Sequence, residues 1–340
     1  MATMDIFKSD AFSMMSLIEA IEASDFKPQF LGSLGIFESN PQRTRRVAVE
    51  SRGDSLALIP TSQVGAPPQQ ATHDKRTVRI FETTRLAKAD AIHAEELQGI
   101  RAFGSETELE AVQTEVARRL QKLMSDLELT WEHHRLGAVQ GVVLDADGSP
   151  IVNYFTEFGV QQPAEVTFNF ATLQAGQVRA KIESQIVRPM IRAAKGAFTP
   201  GSRIIALVGD DFWDQFVNHE EVRQTFLNYQ AAADLRQPTA FGTFRYAGVE
   251  WVNYRGTDDN STVAIGSGDA KFFPAAPGIF QVAWGPAEFM DAVNMPGRDV
   301  VPLVLPDPSG RNAYVTVEVY SYPLFLCTRP ATLYRATLAT

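Results

Sequence analysis

From Leu109 to Trp131 the apolar residues Leu109, Val112, Val116, Leu120, Leu123, Leu127 and Trp131 recur at spacings of three and four. That period belongs to one face of an α-helix. Ser105 and Glu108 form a capping box at its start, and Gly141 follows Gln140 as a C-terminal stop. At 1.5 Å per residue such a helix is about 50 Å long. Its opposite face carries Glu115, Arg118, Arg119, Lys122 and Asp126, and no second helical pattern of matching length exists to complete a bundle. The helix is therefore expected to act as a strut on which other elements lie.

The elements before it look unable to support themselves. Residues 11 to 22, AFSMMSLIEAIE, place Met14, Ile18 and Ile21 on one helical stripe, too short to be stable alone and reading as an arm in need of a partner. Val47 and Val49 then alternate with polar residues, followed by SRGDS and by Leu56, Leu58 and Pro60. Two alternating runs about a turn containing Gly53 have the pattern of a β-hairpin, in which Gly53 supplies φ > 0. The tripeptide Arg52-Gly53-Asp54 also matches the motif that adhesion ligands present to integrins. Residues 61 to 74, with Gly65 and Pro67-Pro68, cannot build a core and are expected to be a loop tip. KRTVRIFETTRL returns as a strand, so that 46 to 90 is a two-stranded ribbon of marginal stability by itself.

After the strut, VVLDADGSPIVNY is the strongest hairpin signal in the chain, with Gly148 as its turn residue. The acids of DADG resemble the start of an EF-hand, but the distal Glu and the flanking helices are missing. Residues 173 to 195 are predicted to be a helix with Val178, Ile182, Ile186 and Met190 inward and a kink at Pro189. RIIALVGDDFWDQF is a buried strand, a turn and a helix. Asp210 and Asp211 there, with Asp214, could serve a hydrolase at a strand's carboxyl end, but helix capping is the reading preferred. No dinucleotide-binding, phosphate-loop, serine-nucleophile or HExxH motif accompanies them. His133 and His134 are adjacent and point in different directions, while His73, His93 and His219 are scattered; all are expected at the surface or in caps.

The chain of 340 residues is 45% hydrophobic and 21% charged, enough for a full core. A net charge of -9 argues against a phosphate-neutralising surface, so sequence-specific nucleic-acid binding is not expected. Cys327 has no second cysteine to pair with. The first residues, MATMDIFKSDAF, lack a secretory pattern, and no run of 18 apolar residues suggests a membrane span. An integrin ligand would be secreted, which weakens that reading of Arg52-Gly53-Asp54. No cofactor or metal is expected.

The order of elements, with LGIFES, RVAVESRGDSLALIP, DKRTVRIFETTRLAKADAIHAEEL, GVVLDADGS, VNHEEVRQTF, GDAKFFPAAPGIFQVAWGPAEFMDAVN and SYPLFLCTRP, resembles the lambda-type phage major capsid protein E family over nearly the whole chain. The resemblance implies an α+β chain with the Hong Kong 97-type capsid fold. It divides into an N-terminal arm (1–45), an extended E-loop ribbon and return (46–103), a spine helix and P-domain hairpin (104–171), an A-domain (172–300) and return strands into the P-domain (301–340). It implies a major capsid protein assembling into the pentamers and hexamers of an icosahedral shell around DNA. The virion is then its location and the host bacterial cytoplasm its place of assembly. An encapsulin-like nanocompartment shell is the alternative within the same fold.

On this reading, charges of the ribbon and spine are candidates for contacts between subunits: Arg52, Asp54, Lys75, Arg76, Arg79, Glu82, Arg85, Glu108 and Glu115. Only 30 residues precede LGSLG, so a scaffolding protein is expected to be separate, alongside a portal and a decoration protein near the E-loops. No Lys–Asn cross-linking pair is identifiable, and non-covalent shells are expected.

Overall fold

The computed structural model describes residues 30–52, 76–99, 108–223, 225, 243–254, 263–311 and 313–339. The arm stripe at 11–22, the Ser105 cap and the SRGDS bend lie outside the described residues. In chain order the strands are β1 (Phe37–Pro41), β2 (Arg46–Arg52), β3 (Arg76–Glu82), β4 (Leu86–His93), β5 (Val142–Leu144), β6 (Pro150–Asn153), β7 (Val166–Phe168) and β8 (Arg203–Val208). There follow β9 (Thr243–Tyr246), β10 (Val249–Asn253), β11 (Asp269–Ala275), β12 (Phe280–Trp284), β13 (Val301–Pro306), β14 (Tyr314–Ser321), β15 (Pro323–Cys327) and β16 (Tyr334–Leu338).

The strut is present as a helix of 33 residues, Glu108–Gln140. Its middle buries a stripe, Val116, Leu120, Leu123, Leu127 and Trp131, as the period requires. Its last turns are enclosed more completely, and Leu136, Ala138 and Val139 are buried together with Glu132 and His134. Gly141 ends the helix at φ +90, where a Cβ would sit 2.4 Å from the ring of Phe155. Both the left-handed backbone and the close ring require glycine there. Two three-stranded sheets, β1-β12-β15 and β13-β14-β4, lie in this part of the molecule, and residues of all these elements share one hydrophobic core with the helix.

A six-stranded sheet, β7-β16-β11-β8-β10-β9, divides this core from a second one. Alternation along its strands sends Ile205, Leu207, Val252 and Phe273 into the first core and Ile204, Ala206, Val208, Trp251 and Phe272 into the second. Because both faces are covered, β8 reads as a continuous apolar run rather than an alternating one. On the second face, Phe168, Phe170, Phe212, Phe216, Phe244 and Trp251 form an aromatic cluster, with Phe216 stacked on Trp251 at 4.1 Å. The cores do not follow the chain in blocks: β16, near the C-terminus, pairs with β7 and β11, while β12 lies in the first core.

The helix predicted over 173–195 has three parts: α-helix over Gln177–Ile182, a π turn over Glu183–Val187, and α-helix over Arg188–Ala193. Val178, Ile182, Ile186 and Met190 are all fully buried. Steps of four residues drift round an α-helix of 3.6 per turn, and the wider π turn reduces that drift. It also lies next to Pro189, which cannot donate an amide.

Two expectations are corrected here. The helix Asp210–Asn218 is not capped by an aspartate: Gly209 is the N-cap and no side chain bonds to the cap. Instead the amide of Phe212 donates to the Ser267 carbonyl at 2.9 Å. This close approach is possible because a Cβ on Gly209 would lie 2.6 Å from that oxygen. Asp210 and Asp211 remain in the first turn, where their charge suits the helix dipole. His134 is not at the surface but 2% exposed, because the end of the spine helix is enclosed. Burial, helped by neighbouring His133, pushes its imidazole down to about 4, while Asp145 pulls it weakly upward. His219 does serve a turn, its Nε2 3.0 Å from the Leu173 carbonyl and its Nδ1 accepting from the Glu221 amide.

Candidate assembly surfaces

β2 and β3 pair antiparallel from Arg46 opposite Glu82 to Arg52 opposite Arg76. The pleat gives the ribbon two unlike faces. On the inner face, Val47 and Phe81 are each 5% exposed. Phe81 packs on Tyr154 and Phe158, with centroids 6.2 and 5.8 Å away. Arg79 extends this contact, its guanidinium 5.1 Å from the Phe158 ring centre and donating to the Phe158 carbonyl at 3.1 Å. The Tyr154 hydroxyl donates to the Phe325 carbonyl, which fixes that aromatic platform to β15. On the outer face, Val78 is 51% and Ile80 65% exposed, with Glu50 and Ala48 opposite them. Two strands with one covered face do not form an independently stable unit.

The ribbon's root is a charged knot. Arg45 and Arg85 both reach Glu288, at 3.1 and 2.9 Å. The two guanidinium groups also lie over the Tyr322 and Tyr320 rings, at 4.9 and 5.1 Å. Hydrogen bonds from Arg85 and then Arg45 hold the Glu288 carboxyl below the usual carboxylate range. Arg46 pairs with Glu82 at 3.1 Å, but both are widely exposed and such a pair contributes little, well under about 1 kcal/mol.

The spine helix is fastened to β4 by a second network. Arg119 bonds Glu115 and Asp90, each at 2.9 Å, and also Glu96, while Lys88 reaches Asp126 at 2.6 Å. Glu115 also receives Arg118, and these two arginines draw its carboxyl downward.

Where the chain enters the body, the short helical turn Phe30–Ser33 is held by Glu132 of the spine. Glu132 is 1% exposed and accepts from the Leu31 amide at 2.7 Å, the Gly32 amide at 3.2 Å and the Tyr254 hydroxyl at 3.3 Å. Arg135 completes the set at 3.4 Å. Burial raises the Glu132 carboxyl despite these donors.

The residues singled out from sequence are thus only partly gathered. Arg79, Glu82 and Arg85 lie along β3 and just after it, whereas Glu115 stands on the spine; each has a partner within its own chain. Arg52 and Arg76 are the last paired residues of the ribbon, and Glu108 opens the spine helix. Gly53, Asp54 and Lys75 lie outside the described residues. Gly148 has φ +82 in the β5–β6 turn, and its amide donates to the Asp145 carbonyl at 2.9 Å. The Asp145 and Asp147 carboxylates accept from the Ala146 and Ser149 amides, so the DADG acids brace the turn. Asp210 accepts from Asn253 at 3.0 Å, and Asp211 and Asp214 are exposed. Glu132 and Glu288 escaped sequence reasoning; the only signal was a carboxylate at 132 beside Trp131 on an apolar stripe.

The model of the family described as phage major capsid protein E matches residues 13–338. The chain belongs to that family. Among its relatives, the major capsid protein of Salmonella phage Felix O1 is 24% identical over 337 residues, covering 89% of this chain and 90% of its own. That of Pseudomonas phage KPP10 is 23% identical over 307 residues, covering 84% and 86%. In fold the chain is similar to a candidate capsid protein of an Escherichia coli CFT073 prophage, with a TM-score of 0.55, 12% identity and coverage of 96% and 99%. It is also similar to the capsid of cyanophage P-SCSP1u, with a TM-score of 0.50, 7% identity and coverage of 94% and 90%. The capsid protein thus has the α+β, Hong Kong 97-type fold, and its role is structural: it is a major capsid protein of a tailed phage and a component of the virion shell, not an enzyme.

Proposed function

We propose that this capsid protein closes its shell through the ribbon and the spine. The supporting observation is the ribbon itself: two strands anchored at their root, with Val78 and Ile80 exposed along the outer face. In a heterologous contact, the ribbon of one subunit lies against the spine region of the next, and repetition of that contact closes pentamers and hexamers. Residues 1–45 are the arm, 46–103 the E-loop, 104–171 the spine and P-domain hairpin, 172–300 the A-domain and 301–340 the return strands. The second core draws β7 and β16 from either side of the A-domain segment. Arg52, Asp54, Lys75, Arg76, Glu108 and the already paired Arg79, Glu82, Arg85 and Glu115 supply polar contacts, each weak but repeated across the shell.

Assembly takes place in the host bacterial cytoplasm, with a separate scaffolding protein, a portal at one vertex and a decoration protein beside the E-loops. Negative-stain microscopy of the purified protein, alone and with neighbouring gene products, should show shells, tubes or capsomers. A chain that stays monomeric in every such mixture overturns this reading.

A further inference from the structure

Between β12 and β13 the segment 286–299 exposes three large apolar side chains: Met290 is 89%, Val293 59% and Met295 49% exposed. Such a cluster on one loop is costly to leave in water, and the loop is firmly held. Glu288 at its start is gripped by Arg45 and Arg85, and Phe289 meets the Tyr320 ring edge-on at 4.9 Å. At its end the Gly297 amide donates to the Gln42 carbonyl at 2.8 Å, and a Cβ there would lie 2.1 Å from the Trp284 carbonyl. Between these anchors a 3₁₀ turn, Met290–Ala292, and Asn294 at φ +63 set the projection. The scaffold is rigid and the side chains it presents are pliable.

We propose that this loop is a docking surface for a second copy of the chain, and that its occupant is the outer face of that copy's ribbon, at Val78 and Ile80. The charges agree. Apart from Arg79, which is turned to Phe158, strands β2 and β3 carry Arg46, Arg52 and Arg76 against Glu50 and Glu82, a net +1; apart from Glu288, already held by Arg45 and Arg85, segment 286–299 carries Asp291 and Asp299 against Arg298, a net -1. Opposite net charge favours encounter between these two surfaces over either with itself. The residue types agree as well: a strand face of Val and Ile is stiff, whereas unbranched methionines adapt to differing contours. A contact repeated with slightly different angles in pentamers and hexamers needs one adaptable side. The inference rests on the shell reading above and names the surface that meets the ribbon.

The test is photo-cross-linking of the full chain. Met290→p-benzoylphenylalanine protein is assembled from an equal mixture of ¹⁵N-labelled and unlabelled chains, irradiated, and mapped by mass spectrometry. Adducts joining position 290 to residues 46–52 or 76–82 of a differently labelled chain are expected. Adducts to any other segment or any other protein, or none from intact shells, overturn the proposal and leave the shell reading standing. Dilute peroxide on wild-type protein gives an answer without a variant: Met290 should oxidise at least about fivefold more slowly in capsomers and shells than in the unassembled subunit, and equal rates overturn the docking. A wild-type chain that forms no shells overturns the shell reading itself.

Discussion

The six-stranded sheet and the ribbon are built from similar residues, yet they end in opposite states. In β8 and β11 every Val, Ile and Phe is buried, because one face meets the spine core and the other the aromatic cluster around Trp251. In β3, Phe81 is buried by the Tyr154 platform while Ile80, its neighbour in sequence, is 65% exposed. Strand chemistry is the same in both; the number of covers differs. The comparison teaches that the sheet is finished within one chain, whereas the ribbon keeps one apolar face bare.

The largest effect should therefore come from the finished region. Trp251→Ala removes a fully buried ring packed on Phe216 and edge-on to Phe272, and should cost about 3–5 kcal/mol in urea unfolding. A loss under about 1 kcal/mol would break the contrast, since the cluster would then be dispensable. Next comes Glu132→Ala, which strands the Leu31 and Gly32 amides, the Tyr254 hydroxyl and Arg135. The expected cost is about 3 kcal/mol, and proteolysis near Phe30 should quicken.

A smaller effect is tied to pH. The His134 imidazole is held near 4 in the folded chain against 6.5 for the free side chain, so the unfolded chain binds the extra proton. The stability due to its neutral form is present above 6.5 and lost as pH falls towards 4, about 2 kcal/mol of it by pH 5. His134→Leu should flatten urea midpoints between pH 7 and 5; an unchanged slope would show that another group carries the loss. The smallest effect on stability sharpens the comparison most. Ile80→Ser should change the unfolding free energy of the subunit by less than about 0.5 kcal/mol while lowering the yield of shells in a sedimentation assay. Loss of subunit stability instead would mean that the ribbon's outer face is covered by its own chain.

The strut, the DADG hairpin and the ribbon pairing were legible because each follows a local period or a turn residue. Val116 to Trp131 repeat at helical spacing, and Gly148 marks its turn. Residues whose environment is made by distant segments were not. His134 looked like a surface residue because nothing near it in sequence shows that β15 encloses the end of the spine. Asp210 looked like a cap because the Ser267 carbonyl that does the work lies more than fifty positions away. The apolar face of 286–299 carries no period at all, and it is the anchoring of Glu288 by Arg45 and Arg85, of Phe289 by Tyr320 and of Gly297 by Gln42 that makes it a surface. Local chemistry is written along the chain; the contact surfaces arise where chain segments cross.

Cys327 lies fully buried in β15, and burial pushes its thiol up to about 12. At neutral pH it is neither ionised nor reachable by a maleimide. A particle made of this chain therefore has a native thiol that stays silent towards such reagents. A cysteine introduced at one exposed position would become a single addressable handle, repeated once per copy over the whole surface.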